Sequence, residues 1–268
     1  MLGLFVLVVA FGIAALMSGF EVPAIGGGDV AVIPVHGTIT LGGCPGSLFY
    51  AESCAQVEEI KKQLKDADGD PAVKAIVLDI YSGGGNVVAS RELMRAVRGT
   101  EKPVVAWIGE VGASGAYYVA SGADRIVADE DSITGSIGVI MFIQHYYELF
   151  DEIGINVTVI KAGESKDIGS PYRPMTADER AEMQGIIDKV YRSFISDVAE
   201  NRNLSFDYVE TVSEGNIYLG SDAKKIGLVD ELGGLEDAVD LAAELGGIKG
   251  EPGVKEPERK ISWYDLLQ

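Results

Sequence analysis

The sequence Lys74-Ala-Ile-Val-Leu-Asp-Ile80, followed by Ser82-Gly-Gly-Gly85, decides the fold class of this 268-residue chain. A second apolar run, Pro103 to Ile108, leads in the same way into a glycine-containing corner at Gly109–Ala113. A helix-like stretch follows each corner. Continuous apolar strands separated by helices favour parallel pairing in a sheet that is buried on both faces. The sequence therefore predicts an α/β fold in which both corners lie at the same edge of the sheet.

The rest of the chain continues this alternation of strands and helices. The other predicted elements are helices at Val57–Leu64, Val87–Val97, Ser114–Ser121, Ser221–Ile226 and Leu235–Leu245, and strands at Val30–Val35, Arg125–Ala128 and Asn156–Lys161. Thr176-Ala-Asp-Glu179 is a capping box, because the threonine and the glutamate each satisfy one free amide of a helix start. The helix that it opens carries a regular apolar stripe from Met183 to Val198. This stripe predicts a core face or a subunit interface.

Composition divides the chain into an anchor at residues 1–20, a linker at 21–29, a globular domain at 30–249 and a tail at 250–268. Leu2 to Phe20 contains no charged side chain, and as a helix it would span about 28 Å, close to one hydrocarbon core. We interpret it as a transmembrane anchor, with a cleaved signal peptide as the alternative. Glu21 and Asp29 follow the span, which favours export of the domain.

Charge and cysteine content exclude some function classes. The formal net charge is −19, and such a surface repels phosphate backbones, so we expect no nucleic-acid partner. Cys44 and Cys54 are the only cysteines. They form a disulfide if the domain is exported, or remain two thiols. No cysteine or histidine spacing indicates a metal site, and we expect no metal and no cofactor.

Ser114, in Gly112-Ala-Ser-Gly115, is the candidate nucleophile. Its small neighbours allow a sharp turn from strand to helix and a close approach of a substrate backbone. The amide of Gly115, at the helix start, would point at an oxyanion, and the helix dipole would help. Gly84 and Gly85, at the neighbouring corner, are candidates for a second donor.

A serine nucleophile also needs a base. His36 and His145 are the only histidines, and we interpret both as structural. A lysine amine can act as a base if burial lowers its pKa from about 10.4 towards neutrality. Lys166 lies in a loop rich in Gly, Ser and Pro that could fold over the site, whereas Lys189 is on the polar side of the long helix.

The chain resembles the signal peptide peptidase A (protease IV) family of Ser-Lys proteases over about residues 30 to 245. The motifs that carry the resemblance are Ile33-Pro-Val-His-Gly-Thr-Ile39, Ser82-Gly-Gly-Gly85, Gly112-Ala-Ser-Gly-Ala-Tyr-Tyr118, Thr134-Gly-Ser-Ile-Gly138, Lys166-Asp-Ile-Gly-Ser-Pro171 and Gly227-Leu-Val-Asp230. The chain departs from the family at Gly83, where the family usually has proline, and the Cys44–Cys54 segment matches no family motif.

The resemblance implies roles for particular residues. Ser114 matches the nucleophile, Lys166 the general base and Ser136 a serine that orients the lysine, while Gly84 and Gly115 match the oxyanion donors. The implied fold is a crotonase-like or Clp-protease-like spiral of β-β-α units, assembled into a homo-oligomer. In short members such as this chain, the active sites are completed at subunit contacts.

Together these observations predict a membrane-anchored serine endopeptidase that degrades cleaved signal peptides or other apolar peptides. The catalytic domain is expected on the extracytoplasmic side of the cell membrane. The alternatives are a Ser-Lys protease that processes membrane proteins, a crotonase-type acyl-CoA enzyme and an inactive membrane scaffold.

Overall fold

The computed structural model describes residues 20–22, 28–43, 54–256 and 259–261. The strands in these ranges are β1 Phe20–Val22, β2 Val30–His36, β3 Thr38–Thr40, β4 Cys54–Gln56, β5 Ala75–Ser82, β6 Val104–Ala113, β7 Arg125–Ala128, β8 Ile133–Gly135, β9 Ile217–Leu219, β10 Glu231–Leu232, β11 Val254–Lys255 and β12 Arg259–Ile261. The helices are α1 Val57–Gly69, α2 Val87–Arg98, α3 Gly115–Ser121, α4 Tyr147–Glu152, α5 Ala177–Asn201, α6 Phe206–Val212, α7 Gly220–Lys225 and α8 Leu235–Leu245, with a 3-10 turn at Glu164–Asp167.

A parallel sheet with the strand order β10-β7-β6-β5-β2-β11 forms the centre of the fold. The fold is thus mixed α/β with a mostly parallel sheet, which confirms the predicted class. Strand β6 has two neighbours on one side. Val105 to Ile108 pair with β7, and Val111 to Ala113 pair with β8. This split pairing brings the segment after β8 to the end of β6, where Ser114 follows.

Apolar side chains cover both faces of the sheet, as continuous apolar strands predict. Along β5, Ile76, Leu78 and Ile80 pack in one core with helices α1, α2 and α3, whereas Ala75 and Val77 pack in a second core with α8. The helix that starts at Leu235 supplies Ala238, Val239, Ala242 and Ala243 to this second core.

One predicted corner and one predicted strand are wrong. Gly109–Ala113 is not a corner, because β6 continues through it to Ala113. Asn156–Lys161 forms no strand. A strand needs a neighbouring edge for its hydrogen bonds, and no described segment of the same chain pairs with these residues. Their apolar side chains stay in solvent, with Ile160 96% exposed.

The capping box at the start of α5 is confirmed. The Thr176 hydroxyl accepts a hydrogen bond from the Glu179 amide at 3.2 Å, and the Glu179 carboxylate accepts one from the Thr176 amide at 2.9 Å. The apolar stripe divides into two parts. Phe194, Ile195 and Val198 are buried in the core, whereas Ile186, two turns earlier, is 45% exposed.

The predicted anchor falls almost wholly outside the described residues, and only its last residue, Phe20, belongs to a described strand. Among the helices of the described ranges, none combines the length and the apolar character that a membrane crossing requires. Cys44 also lies outside these ranges, so its pairing with Cys54 stays a prediction. Of the tail, Val254–Lys255 adds a parallel edge strand beside β2.

The motif Gly227-Leu-Val-Asp230 locks α3 and α5 onto the sheet. The Leu228 carbonyl accepts a hydrogen bond from the hydroxyl of Tyr117 at 2.9 Å, and burial raises the pKa of that hydroxyl. The carboxylate of Asp230 accepts hydrogen bonds from Arg202 at 2.7 and 2.9 Å and from the Ile126 amide at 2.7 Å. The Arg202 side chain is only 6% exposed.

Asp230→Asn is expected to lower the free energy of unfolding by about 2 to 4 kcal/mol, because it leaves the buried guanidinium of Arg202 without its carboxylate. Urea titration followed by circular dichroism measures this change. The matched control is Asp222→Asn, which removes an exposed ion pair with Lys225 and should change stability by less than about 0.5 kcal/mol. Equal effects of the two substitutions would contradict the assignment.

Candidate active site

Ser114 lies at a sharp turn between β6 and α3. Its φ is 54° and its ψ is −122°, a backbone conformation that residues other than glycine rarely adopt. The turn is held on both sides, since the Ser114 amide donates to the Gly135 carbonyl at 2.8 Å and the Ser114 carbonyl accepts from the Tyr118 amide at 2.9 Å. The side chain remains partly exposed. This is the geometry of a nucleophile presented at a strand-to-helix elbow.

The glycine corner after β5 packs directly against this elbow. A Cβ atom added at Gly84 would lie 2.7 Å from the Gly115 nitrogen and 3.0 Å from the Ser114 Cβ, and the φ of Gly84 is +105°. A Cβ atom added at Gly115 would lie 3.0 Å from the Gly85 nitrogen. Both positions therefore require glycine, and the corner at Gly84 and Gly85 meets the turn at Ser114.

The three predicted oxyanion donors differ in whether they already donate a hydrogen bond within the chain. The Gly84 amide donates to the Ser82 hydroxyl at 3.1 Å, so it is already used. The amides of Gly85 and Gly115 have no acceptor within hydrogen-bond distance among the described residues. Gly85 and Gly115 also line the same cleft as Ser114, which Gly84 does not. The arrangement offers two free amides beside one hydroxyl, which suits a tetrahedral oxyanion.

Ser136 lies next to Ser114 because of the pairing between β6 and β8. Ala113 and Gly135 are partners in that pairing, so the two serines follow paired residues. The φ of Ser136 is 50°, and its amide donates to the Asn216 carbonyl at 2.7 Å. The Ser114 and Ser136 hydroxyls make no hydrogen bond to any side chain or carbonyl in the described part of the chain.

An open cleft with about 590 Å³ of empty space contains the Ser114 side chain. Its walls are largely apolar, which suits apolar substrate side chains. The lining residues are Gly85, Val87, Ser90, Arg91, Ser114, Gly115, Tyr118, Gly138, Val139, Ile140, Val190, Ser193 and Phe194.

Lys166 is not among the described residues that line this cleft. It lies in the 3-10 turn Glu164–Asp167, and its side chain is exposed. Arg173 holds the turn in place. Its guanidinium donates to the Asp167 carboxylate at 2.8 and 2.9 Å and to the Glu179 carboxylate at 2.5 and 2.8 Å. These hydrogen bonds lower the pKa of Asp167 and lower that of Glu179 to about 2. Within one chain, the predicted nucleophile and base are not brought together.

Neither histidine lines the cleft. His36 lies at the end of β2, where its Nε2 is 2.8 Å from the Asp79 carboxylate. Among the described residues, no group of three or more His, Cys, Asp or Glu side chains is arranged to hold a metal ion.

Sequence reasoning missed Ser90 and Arg91. The Ser90 side chain is 1% exposed, and its hydroxyl has no hydrogen-bond partner in the described structure. It packs against Gly115, since a Cβ atom there would lie 2.3 Å from the Ser90 Oγ. The available signal for Ser90 was its position, about one helical turn after the glycine corner.

Comparison with known proteins identifies the relatives of this chain. Residues 96–249 match the model of peptidase family S49. Putative protease MJ0651 of Methanocaldococcus jannaschii is 42% identical over 234 residues, which are 87% of this chain and 75% of that protein. Putative signal peptide peptidase SppA of Enterococcus faecium is 35% identical, over 66% of this chain and 53% of that protein.

A solved structure shares the fold. It is a mutant of the membrane-bound stomatin-specific protease 1510-N, with a TM-score of 0.54 and 14% identity, over 81% of this chain and 85% of that one. The sequence matches support a serine protease rather than an acyl-CoA enzyme.

Gly84→Ala is expected to lower kcat/KM for peptide hydrolysis by about 100-fold or more, because the new methyl group displaces the Gly115 amide. Stability should also fall, by about 1 to 3 kcal/mol for the strained backbone and by about 1 to 3 kcal/mol for the steric collision. Steady-state kinetics and urea titration separate the two effects. The matched control is Gly83→Ala, where nothing lies within 4 Å of the added atom. If both variants keep wild-type activity, the corner does not shape the oxyanion site.

Arg173→Gln is expected to release the turn that carries Lys166, so amide hydrogen exchange at residues 163–170 should accelerate about tenfold or more. Mass spectrometry at peptide resolution measures it, with Arg180→Gln on the exposed start of α5 as the control. Because Arg173 lowers the pKa of Glu179, the ion pair is fully formed at every pH above the ordinary glutamate pKa near 4.5. It is lost only as the pH falls towards 2. Protection that varies between pH 6 and 9 would contradict this account.

Proposed function

Since this chain belongs to peptidase family S49, the signal peptide peptidase A family, and is a serine protease, we propose that Ser114 is its nucleophile and Lys166 its general base. The observation that carries the proposal is the elbow of Ser114, with the amides of Gly85 and Gly115 free beside the hydroxyl. Acyl transfer needs a nucleophile and two oxyanion donors at one point, and these three groups supply them.

In the proposed mechanism, the neutral amine of Lys166 takes the proton of the Ser114 hydroxyl as the oxygen attacks a peptide carbonyl. The Gly85 and Gly115 amides stabilise the resulting oxyanion. The protonated lysine then gives its proton to the leaving amine, and an ester on Ser114 remains. Water attacks this ester, the lysine accepts the proton of the water, and that proton returns to the serine. Ser136, beside Ser114, orients the lysine.

The base is proposed to enter the cleft from a neighbouring subunit. An apolar segment supports this, because Ile140, Phe142 and Ile160 are 77%, 85% and 96% exposed. Exposed apolar side chains in such number are typical of a protein interface. The segment around Ile160 has strand-like sequence and no partner among the described strands, so a second copy would supply the missing edge. A homo-oligomer of this kind, built on a crotonase-like or Clp-protease-like spiral, extends the proposal.

The proposed substrates are apolar peptides in or near a membrane, such as signal peptides left after cleavage. The apolar walls of the cleft, with Val87, Ile140 and Phe194, support apolar side chains around the scissile bond. The uncharged span at residues 2–20 supports a single-pass anchor in the cell membrane, and the acidic residues after it support an extracytoplasmic domain. A protease that processes membrane proteins through the same dyad is the second candidate, and the stomatin-specific protease of similar fold supports it.

Ser114→Ala and Lys166→Ala are each expected to lower kcat for an apolar fluorogenic peptide by about 1000-fold or more. Lys189→Ala, an exposed lysine on α5, is the matched control and should keep wild-type activity. If either dyad variant retains full activity, the proposed mechanism is wrong.

Co-expression of the Ser114→Ala and Lys166→Ala chains tests the subunit contribution. In a closed ring with one serine and one lysine from adjacent copies, about a quarter of the sites would be intact. Restored activity near that level supports a base from the neighbour, whereas no restoration means that serine and lysine come from one chain. Light scattering gives the number of subunits.

A further inference from the structure

Three arginines surround one open cavity beside the cleft of Ser114. Arg91 and Arg95 on α2 and Arg192 on α5 line it, together with Ser193, Ser196, Asp197 and Phe206, around about 740 Å³ of empty space. We call these seven lining residues the arginine pocket. It stands out in a chain whose net charge is −19.

None of these three guanidinium groups has a carboxylate within 4 Å among the described residues. Among the other arginines with described side chains, Arg98, Arg173 and Arg202 are paired with carboxylates, whereas Arg125 and Arg180 are not. What distinguishes Arg91, Arg95 and Arg192 is that three unpaired guanidinium groups line one cavity, which makes it a candidate anion site.

The spacing of the residues directs them into the same space. Arg91 and Arg95 are four residues apart on α2 and therefore project from one helix face. Arg192 and Ser196 have the same spacing on α5, which adds a hydroxyl beside the guanidinium. Two helices thus present positive charge and hydrogen-bond donors to the cavity between them.

One carboxylate, that of Asp197, also lines the arginine pocket, but none of the three arginines forms an ion pair with it. The hydroxyl of Tyr118 donates to it. Burial raises the pKa of Tyr118, with the bond to Asp197 as a further cause, so the hydroxyl keeps its proton. The pocket therefore keeps a net charge of about +2 from three arginines and one aspartate, and its donors remain available to a ligand.

The arginine pocket is continuous with the cleft of Ser114, because Arg91 and Ser193 line both. Arg95 lies one turn further along α2, about 6 Å beyond Arg91. An extended peptide covers that distance in about two residues. A peptide bound at Ser114 would therefore place in the pocket a group that lies roughly two to four residues from its scissile bond.

We propose that the arginine pocket binds a carboxylate of the peptide substrate, two to four residues from the scissile bond. The carboxylate is either an acidic side chain or the free carboxyl terminus of the peptide. The proposal rests on the proposed function, because it takes the occupant of the cleft to be a peptide. Guanidinium groups bind carboxylates through paired hydrogen bonds, so the pocket selects substrates by an anionic group at a set distance from the apolar residues at Ser114.

The first experiment uses fluorogenic peptides that differ at one position. Starting from a neutral apolar peptide that the full chain cleaves, with both ends blocked, each position up to about five residues on either side of the scissile bond carries Glu or Gln. A further pair has a free or an amidated carboxyl terminus. At one register, kcat/KM should be about tenfold higher for the acid than for its neutral counterpart. The Glu series and the terminal pair identify which carboxylate is used.

Arg95→Gln and Arg192→Gln should bring this acid-to-neutral ratio close to one. The matched control is Arg98→Gln, which removes the same charge from the same helix but outside the pocket, and it should keep the ratio. A ratio near one at every register in the wild type overturns the proposal. An equal fall of the ratio in Arg98→Gln also overturns it, because the cause would then be long-range attraction.

A binding measurement separates this proposal from the assignment of the catalytic residues. Fluorescence anisotropy with the full Ser114→Ala chain should show the acidic peptide bound about tenfold more tightly than the neutral one, and Arg95→Gln in that background should remove the difference. If Ser114→Ala still cleaves peptides, the nucleophile assignment fails while the ratio remains measurable. If the arginine variants change only the subunit number or the binding to anionic vesicles, the pocket contacts a second copy or a lipid surface, and the proposal is overturned.

Discussion

The left-handed backbone of Ser114 is the constraint on which the rest of the site depends. A serine at a φ of 54° is strained, and such strain persists only where neighbouring structure holds it. The pairing of β8 with the last residues of β6 supplies the hold, because the Gly135 carbonyl accepts the Ser114 amide. The same pairing places Ser136 beside the nucleophile. One structural device therefore exposes the hydroxyl, starts α3 and brings in a second hydroxyl.

The glycine corner after β5 complements this elbow at very short range. A side chain at Gly84 would collide with the Gly115 backbone, and a side chain at Gly85 would collide with the Ile39 backbone. The Ser82 hydroxyl and the Ile39 amide hold the corner through Gly84, which leaves the Gly85 amide free. Ser90 adds a buried hydroxyl without a partner beside the same point. An unsatisfied buried polar group costs about 1 to 3 kcal/mol. The closely packed surroundings of Ser114 therefore contain hydrogen-bond donors that a ligand could satisfy.

The surface that carries Lys166 differs from the packed half of the chain. The core contains both faces of the sheet and the second half of α5, whereas Ile140, Phe142 and Ile160 are exposed. The turn of Lys166 is nevertheless well held by Arg173. A base on a held turn, set in an apolar surface that one chain does not cover, suits a site completed by assembly. The arginine pocket beside the cleft adds positive charge where the peptide would continue.

Local sequence was enough to predict the parallel α/β class, the central strands β2, β5, β6 and β7, most of the described helices and the glycine corner after β5. Apolar runs, capping residues and glycines act locally, so a few neighbouring residues are enough to predict their effect. The capping box at Thr176 is an example. Which amides remain free was settled by packing in three dimensions, because the Ser82 hydroxyl takes the Gly84 amide rather than that of Gly85. The folded chain also shows that Asn156–Lys161 is no strand within one chain, that Lys166 lies outside the cleft and that Arg91, Arg95 and Arg192 converge. Each of these depends on contacts between residues far apart in sequence, and such contacts leave no local pattern.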